Sequence, residues 1–137
     1  IGLLIALAGE CVRIWAAGHL EKGREVTRSG PYRLIRHPLY AGSTVIALGV
    51  AVASRSMVVT IVAAVYMGLT VNAAIRAEEA QLRAAFGSAY DDYQASRAQP
   101  MARAFSLARA FRNREHRAVA GVLAGFALLA LKIRAFQ

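Results

Sequence analysis

Between Tyr40 and Arg76 the chain runs for 35 residues with a single charge, Arg55, and this stretch limits the possible folds more than any other. As one helix it would reach about 52 Å at 1.5 Å per residue, well beyond the roughly 30 Å hydrocarbon core of a bilayer. The segment must therefore fold back on itself, and Ser54-Arg55-Ser56 is the natural break. This predicts a helical hairpin over about 41–75, with arms of roughly 13 to 20 residues. The hairpin brings its entrance, Leu39 and Tyr40, to the same side of the membrane as its exit, Arg76 to Glu79. Two polar motifs nearly forty positions apart become neighbours.

Composition supports a membrane chain: 57% of the 137 residues are hydrophobic and 18% charged, against roughly 45 to 50% and about 25% for an ordinary soluble domain. A soluble domain of this size cannot easily bury so much apolar surface. The formal net charge of +9 would suggest nucleic acid in a soluble protein, but its distribution argues otherwise. Five of the 17 basic residues lie between Lys22 and Arg36 and eight between Arg76 and Arg117. Apolar spans joined by basic loops on one side of a bilayer have this layout, and nucleic acid is not expected as a partner. Cys11 is the only cysteine, so no internal disulfide and no cysteine metal cage can form. No metal-ligand set is expected.

The remaining segments fit one domain over residues 1–137. Residues 1–20 read as the end of a membrane helix, with Glu10 and Arg13 three apart and forming a structural ion pair. Ile1 lies within an apolar run without an initiator Met, so the chain is expected to be truncated at its N-terminus. Glu21 to Pro38 should be a structured surface loop, rigidified by Pro31 and Pro38. Residues 76–97 are expected to continue as one amphipathic helix, with Leu82, Phe86, Tyr90 and Tyr93 on one face and Pro100 ending it. The last apolar run, Ala118 to Leu131, has 14 residues, which allows either a short span or a re-entrant helix. Gly121 and Gly125 form a GxxxG that would admit a second helix.

The chain has no Gly-rich phosphate loop, HExxH or GxSxG motif. It does have Gly30-Pro31-Tyr32-Arg33-Leu34-Ile35-Arg36-His37-Pro38-Leu39-Tyr40-Ala41-Gly42 and, at the hairpin exit, Arg76-Ala77-Glu78-Glu79. Together these place a guanidinium, an imidazole, a phenol and two carboxylates around one pocket at the mouth of a helix pair. Ionisable groups so near lipid are costly unless paired or wet, so a functional site is the default reading. The alternative is an interfacial belt, with Glu79 pairing to Arg83.

The pattern GPYRLIRHPLYAG, a hydrophobic hairpin, then RAEEAQLRAAFGSAYDDY resembles the integral-membrane methyltransferases that include isoprenylcysteine carboxyl methyltransferase and the phospholipid methyltransferases. The resemblance covers roughly Gly18 to Tyr93. It implies an all-α, polytopic membrane helix bundle with cytosolic cofactor-binding loops. It also implies S-adenosylmethionine as methyl donor, held by Arg36, His37, Pro38, Tyr40 and Gly42 from the first motif and Glu78 and Glu79 from the second. A lipophilic acceptor would arrive from the bilayer. Family members often carry a Val-Pro-Arg segment after the tyrosine-rich helix. Here Arg97 keeps the spacing to Pro100 but arrives about two residues early, so an acceptor-orienting role for Arg97 competes with that of a solvated helix-end arginine.

The cofactor's chemistry suits these residues. Arg36 or His37 suits a carboxylate, and Glu78 or Glu79 an ammonium or ribose hydroxyl. The expected function is methyl transfer to a lipophilic acceptor, first a carboxylate, in a bacterial inner membrane with the site facing the cytoplasm. Phospholipid N-methyl transfer is the nearest alternative. The membrane sterol reductases, which use NADPH, resemble the first motif but commonly carry Asn and an acidic residue where this chain has Leu39 and Ser43. The third reading is a non-catalytic membrane subunit on anionic lipid.

Overall fold

The computed structural model describes residues 1–99 and 101–136. Pro100, expected to stop a helix, lies outside them. The described residues form six helices and no strand: α1 (Gly2–Ala17), α2 (Pro38–Ser54), α3 (Met57–Phe86), α4 (Ser88–Gln94), α5 (Leu107–Arg112) and α6 (Glu115–Ala135), with a 3-10 turn at Gly30–Arg33. The fold is all-α, as the sequence predicts.

The hairpin breaks at the expected place. Arg55 adopts a left-handed conformation (φ 51°) between α2 and α3, and the Ser56 side chain caps α3 by accepting the Val59 N–H. Pro38 begins α2 at a position where its missing N–H costs nothing. Beyond Ile75, α3 continues without interruption, so Glu78 and Glu79 are carried on the same rigid rod as the apolar arm.

Glycines join α1 to α2. A Cβ on Gly9 would lie 2.6 Å from the Gly42 carbonyl oxygen, and one on Gly49 would lie 2.5 Å from that of Gly2. Both helices place these glycines seven residues apart, close to two turns, so the gaps share one face. The two backbones run antiparallel in direct contact. Here the close approach occurs, whereas a Cβ on Gly121 or Gly125 would meet nothing within 4 Å.

Helices α3 and α6 are long and apolar enough to cross a membrane, and their most apolar 18-residue stretches bury no residue against the rest of the chain. A bilayer is the solvent that suits such faces. The 14-residue apolar run is extended at both ends by charged flanks into one 21-residue helix, about 32 Å long. It has no break of the kind a re-entrant path requires.

The expected single helix over 76–97 is instead two. Gly87 takes φ 50° and ψ −119°, a conformation open to glycine, and separates α3 from α4. The turn directs Tyr90 and Tyr93 back over the first motif. Across the chain, the basic C-terminal stretch is stitched to the loop after α1. Arg109 Nε meets Glu21 at 2.7 Å and Arg103 pairs with Glu25, while the Asn113 amide donates to the Ala17 and Leu20 carbonyls at the end of α1.

Candidate functional site

His37 stands immediately before α2, and its ring reaches across to α3. Nε2 lies 3.0 Å from Glu79 Oε1, and Nδ1 lies 3.7 Å from Glu78 Oε2. Arg36 approaches Glu79 at 3.6 Å, and the Tyr40 ring centroid stands 5.9 Å from that of His37. The hairpin therefore brings its entrance and exit motifs into direct contact. Glu78, then Glu79, hold the imidazole above its ordinary value against the opposing effect of burial. Both carboxylates favour the charged ring, so the site is a compact ion cluster.

Tyr32, Arg36, His37 and Tyr40 form a wall shared by two cavities. The larger, about 840 Å³, also meets Arg28, Arg33 and Tyr93. The smaller, about 420 Å³, also meets Arg13, Lys22, Glu78 and Gln81. At its lower end the larger cavity reaches Thr44 and Val71, which also line an apolar cleft of about 430 Å³ between α2 and α3. The charged site thus continues into a hydrophobic groove.

The roof comes from α4. The Tyr93 hydroxyl donates to the Tyr32 carbonyl at 2.7 Å, clamping the 3-10 turn. Tyr90 is fully buried, and burial together with the Glu79 carboxylate pushes its phenol up to about 12, so it keeps its proton at neutral pH. Its hydroxyl has no hydrogen-bond partner among the described residues. The Arg28 Nε, on the cavity wall, is likewise buried and unpartnered.

The sequence pattern of the phospholipid methyltransferases matches residues 12–89. This chain belongs to that family. Two curated relatives are similar to this chain. One is the cobalt-zinc-cadmium resistance protein CzcN of Cupriavidus metallidurans, 36% identical over 88 residues, covering 63% of this chain and 39% of that protein. The other is the nickel-cobalt-cadmium resistance protein NccN of Alcaligenes xylosoxydans xylosoxydans, 32% identical over 95 residues, 68% of this chain and 43% of that protein. The chain spans about two fifths of the length of these relatives. No solved structure matches it.

Within this phospholipid methyltransferase-family chain, the expected site residues separate into three groups. Arg36, His37, Tyr40, Glu78 and Glu79 meet in one cluster, of which all but Glu79 line the smaller cavity. Pro38 and Gly42 are buried as scaffold: Pro38 opens α2, and Gly42 faces α1, where a Cβ would strike the Arg13 stem at 2.5 Å. Arg97 lies apart, exposed and paired with Asp92 at 3.2 Å.

Sequence reasoning missed the cavity roles of Arg28 and Tyr32, the clamp made by Tyr93, and the partner of Arg13. The pair expected within α1 is present but loose, at 4.0 Å from Glu10, whereas Glu115 holds Arg13 at 2.7 Å. The signal for Arg13 was its charge in an apolar helix. Nothing local marked Glu115, 102 positions away.

Proposed function

We propose that this protein transfers a methyl group from S-adenosylmethionine to a lipophilic acceptor that enters from the membrane. Family membership supports methyl transfer, and the contact of His37 with Glu78 and Glu79 is the observation that carries the cofactor assignment. The donor set suits the group. Arg36 and His37 offer cationic donors for a carboxylate, and the two glutamates offer acceptors for an ammonium or ribose hydroxyls. When bound, S-adenosylmethionine supplies an electrophilic methyl on a sulfonium.

The protein's own contribution is orientation and dryness. Paired to Glu78 and Glu79, His37 is fixed at the head of α2, which sets the wall against which donor and acceptor align. Tyr40 and Tyr32 line that wall with rings, and the groove reached through Thr44 and Val71 suits an acyl or prenyl tail. Methyl transfer to an acidic acceptor needs no general base, because the nucleophile is already anionic. That agrees with a site whose imidazole is committed to two carboxylates. A carboxylate on a lipophilic chain is accordingly the first acceptor to try, and a phospholipid amine, which must first lose a proton, the second. Basic loops between the spans favour a cytoplasmic cofactor side. The names of the two relatives concern metal resistance, and the methyl-transfer reading rests on the family and the site rather than on those names.

The test is a titration of detergent-purified protein with S-adenosylhomocysteine and, in parallel, NADPH, using wild type and Glu79→Ala. Saturable binding of the first ligand, weakened at least tenfold by loss of a charge-assisted hydrogen bond, is the expected result. Binding of NADPH alone would move the protein to the reductases.

A further inference from the structure

Arg13 is the most heavily engaged side chain outside the two motifs. Its Nε and Nη2 meet the two Glu115 oxygens at 2.7 and 3.2 Å, a bidentate fork. Its Nη1 donates to Ser43 Oγ at 2.5 Å and to the Leu39 carbonyl at 3.3 Å. Glu115 is the first residue of α6 and is buried, at 5% exposure. One guanidinium thereby joins α1, the first turns of α2 and the start of α6.

This joint borders the site. Leu39 lies between Pro38 and Tyr40, and Arg13 shares the smaller cavity with His37, Tyr40 and Glu78. The motif glycine belongs to the same device. A side chain at Gly42 would occupy the place of the Arg13 Cγ, so the glycine is the gap through which the arginine reaches α2. A plain tie between α1 and α6 would need only the Glu115 contact. The third nitrogen instead grips the helix turn that carries the cavity wall.

We propose that Arg13, oriented by Glu115, is a positioning residue of the methyl-transfer site. The start of α6, outside the matched residues 12–89, thereby supports a site whose ion cluster lies between Arg36 and Glu79. The inference rests on the function proposed above for its binding readout, and on geometry alone for its second readout.

The test compares wild type with Arg13→Lys, Glu115→Gln, Gly42→Ala and the Arg13→Lys/Gly42→Ala double variant, and uses Arg134→Gln as a remote charge control. Lysine keeps the charge but cannot fork to Glu115 while gripping α2, and Glu115→Gln keeps the shape of its side chain while removing the charge. Arg13→Lys should weaken S-adenosylhomocysteine binding about tenfold or more, since small misplacements of a site are costly. The Gly42→Ala effect should not add to it, because both changes disturb one contact. In the ligand-free protein, the His37 ring resonances should move in Arg13→Lys and Glu115→Gln but not in Arg134→Gln. Unchanged affinity with unmoved His37 resonances, or effects that simply add in the double variant, would overturn the proposal. If wild type binds no S-adenosylhomocysteine, the methyl-transfer reading fails and the His37 resonances alone decide whether Arg13 positions the cluster.

Discussion

Helix α2 packs against α1 on one side and α3 on the other, and only the first of these contacts is closed. Against α1, four glycines let backbone meet backbone, with no room for a Cβ. Against α3, alanines, Leu48 and Met67 stand back around a cleft of about 430 Å³. Both pairs are apolar and antiparallel, so hydrophobicity alone does not distinguish them. Side-chain size does. In a membrane, where lipid tails are as apolar as leucine, helices associate by fit rather than by leaving water. The closed pair holds the head of α2 still, and the open pair leaves a groove leading to it.

The largest expected effect comes from breaking the closed contact. Gly49→Leu would drive a side chain into the Gly2 carbonyl and Ala6, and should destabilise the chain by about 3 kcal/mol or more, read as a lower thermal midpoint in detergent. A midpoint within error of wild type would show that the two backbones can separate freely.

Filling the open contact should do the reverse. Ala63→Leu projects into the cleft and should change stability by less than about 1 kcal/mol. It should nonetheless lower methyl transfer to a long-chain acceptor about tenfold or more, with S-adenosylhomocysteine binding unchanged. Equal loss of both would mean that the cleft and the cofactor site are not separate.

The ion cluster at the mouth of the open pair gives a smaller effect that depends on pH. Glu78, then Glu79, raise the His37 imidazole above its ordinary value of 6.5. A raised folded-state value stabilises fully below the unfolded value, and this contribution is lost as pH rises through the folded value. Between about pH 6 and pH 9 the thermal midpoint of wild type should fall more steeply than that of His37→Asn; parallel slopes would remove His37 as the titrating group.

The smallest effect belongs to the glycines that meet nothing. Gly125→Ala should stabilise α6 by about 0.5 to 1 kcal/mol, through helix propensity alone. Destabilisation instead would reveal a helix seated on that face.

Legibility in the sequence followed the range of the interactions. The hairpin and its break at Arg55 could be read because they depend on the length of an uncharged run measured against a bilayer. The meeting of His37 with Glu79 followed from that hairpin, although the two are 42 positions apart. The glycine contact between α1 and α2 was not foreseen. Gly121 and Gly125 drew attention by their motif, while Gly2 and Gly9, opposite Gly49 and Gly42, form the contact at a spacing of seven. Small residues abound in apolar helices, and spacing within one helix does not say which face finds a partner. Helix α4 was misread because the apolar stripe from Leu82 to Tyr93 keeps its period across Gly87, and only the backbone reveals the turn there.

The sequence alone determined the helical class, the fold-back and the juxtaposition of the two polar motifs, because these depend on hydrophobic length and local periodicity. The tertiary structure decided which glycines close a helix pair, where α3 yields to α4, and that Arg13 is held by Glu115 across 102 positions. Those outcomes depend on three-dimensional fit between distant surfaces, and no local pattern of residues encodes it.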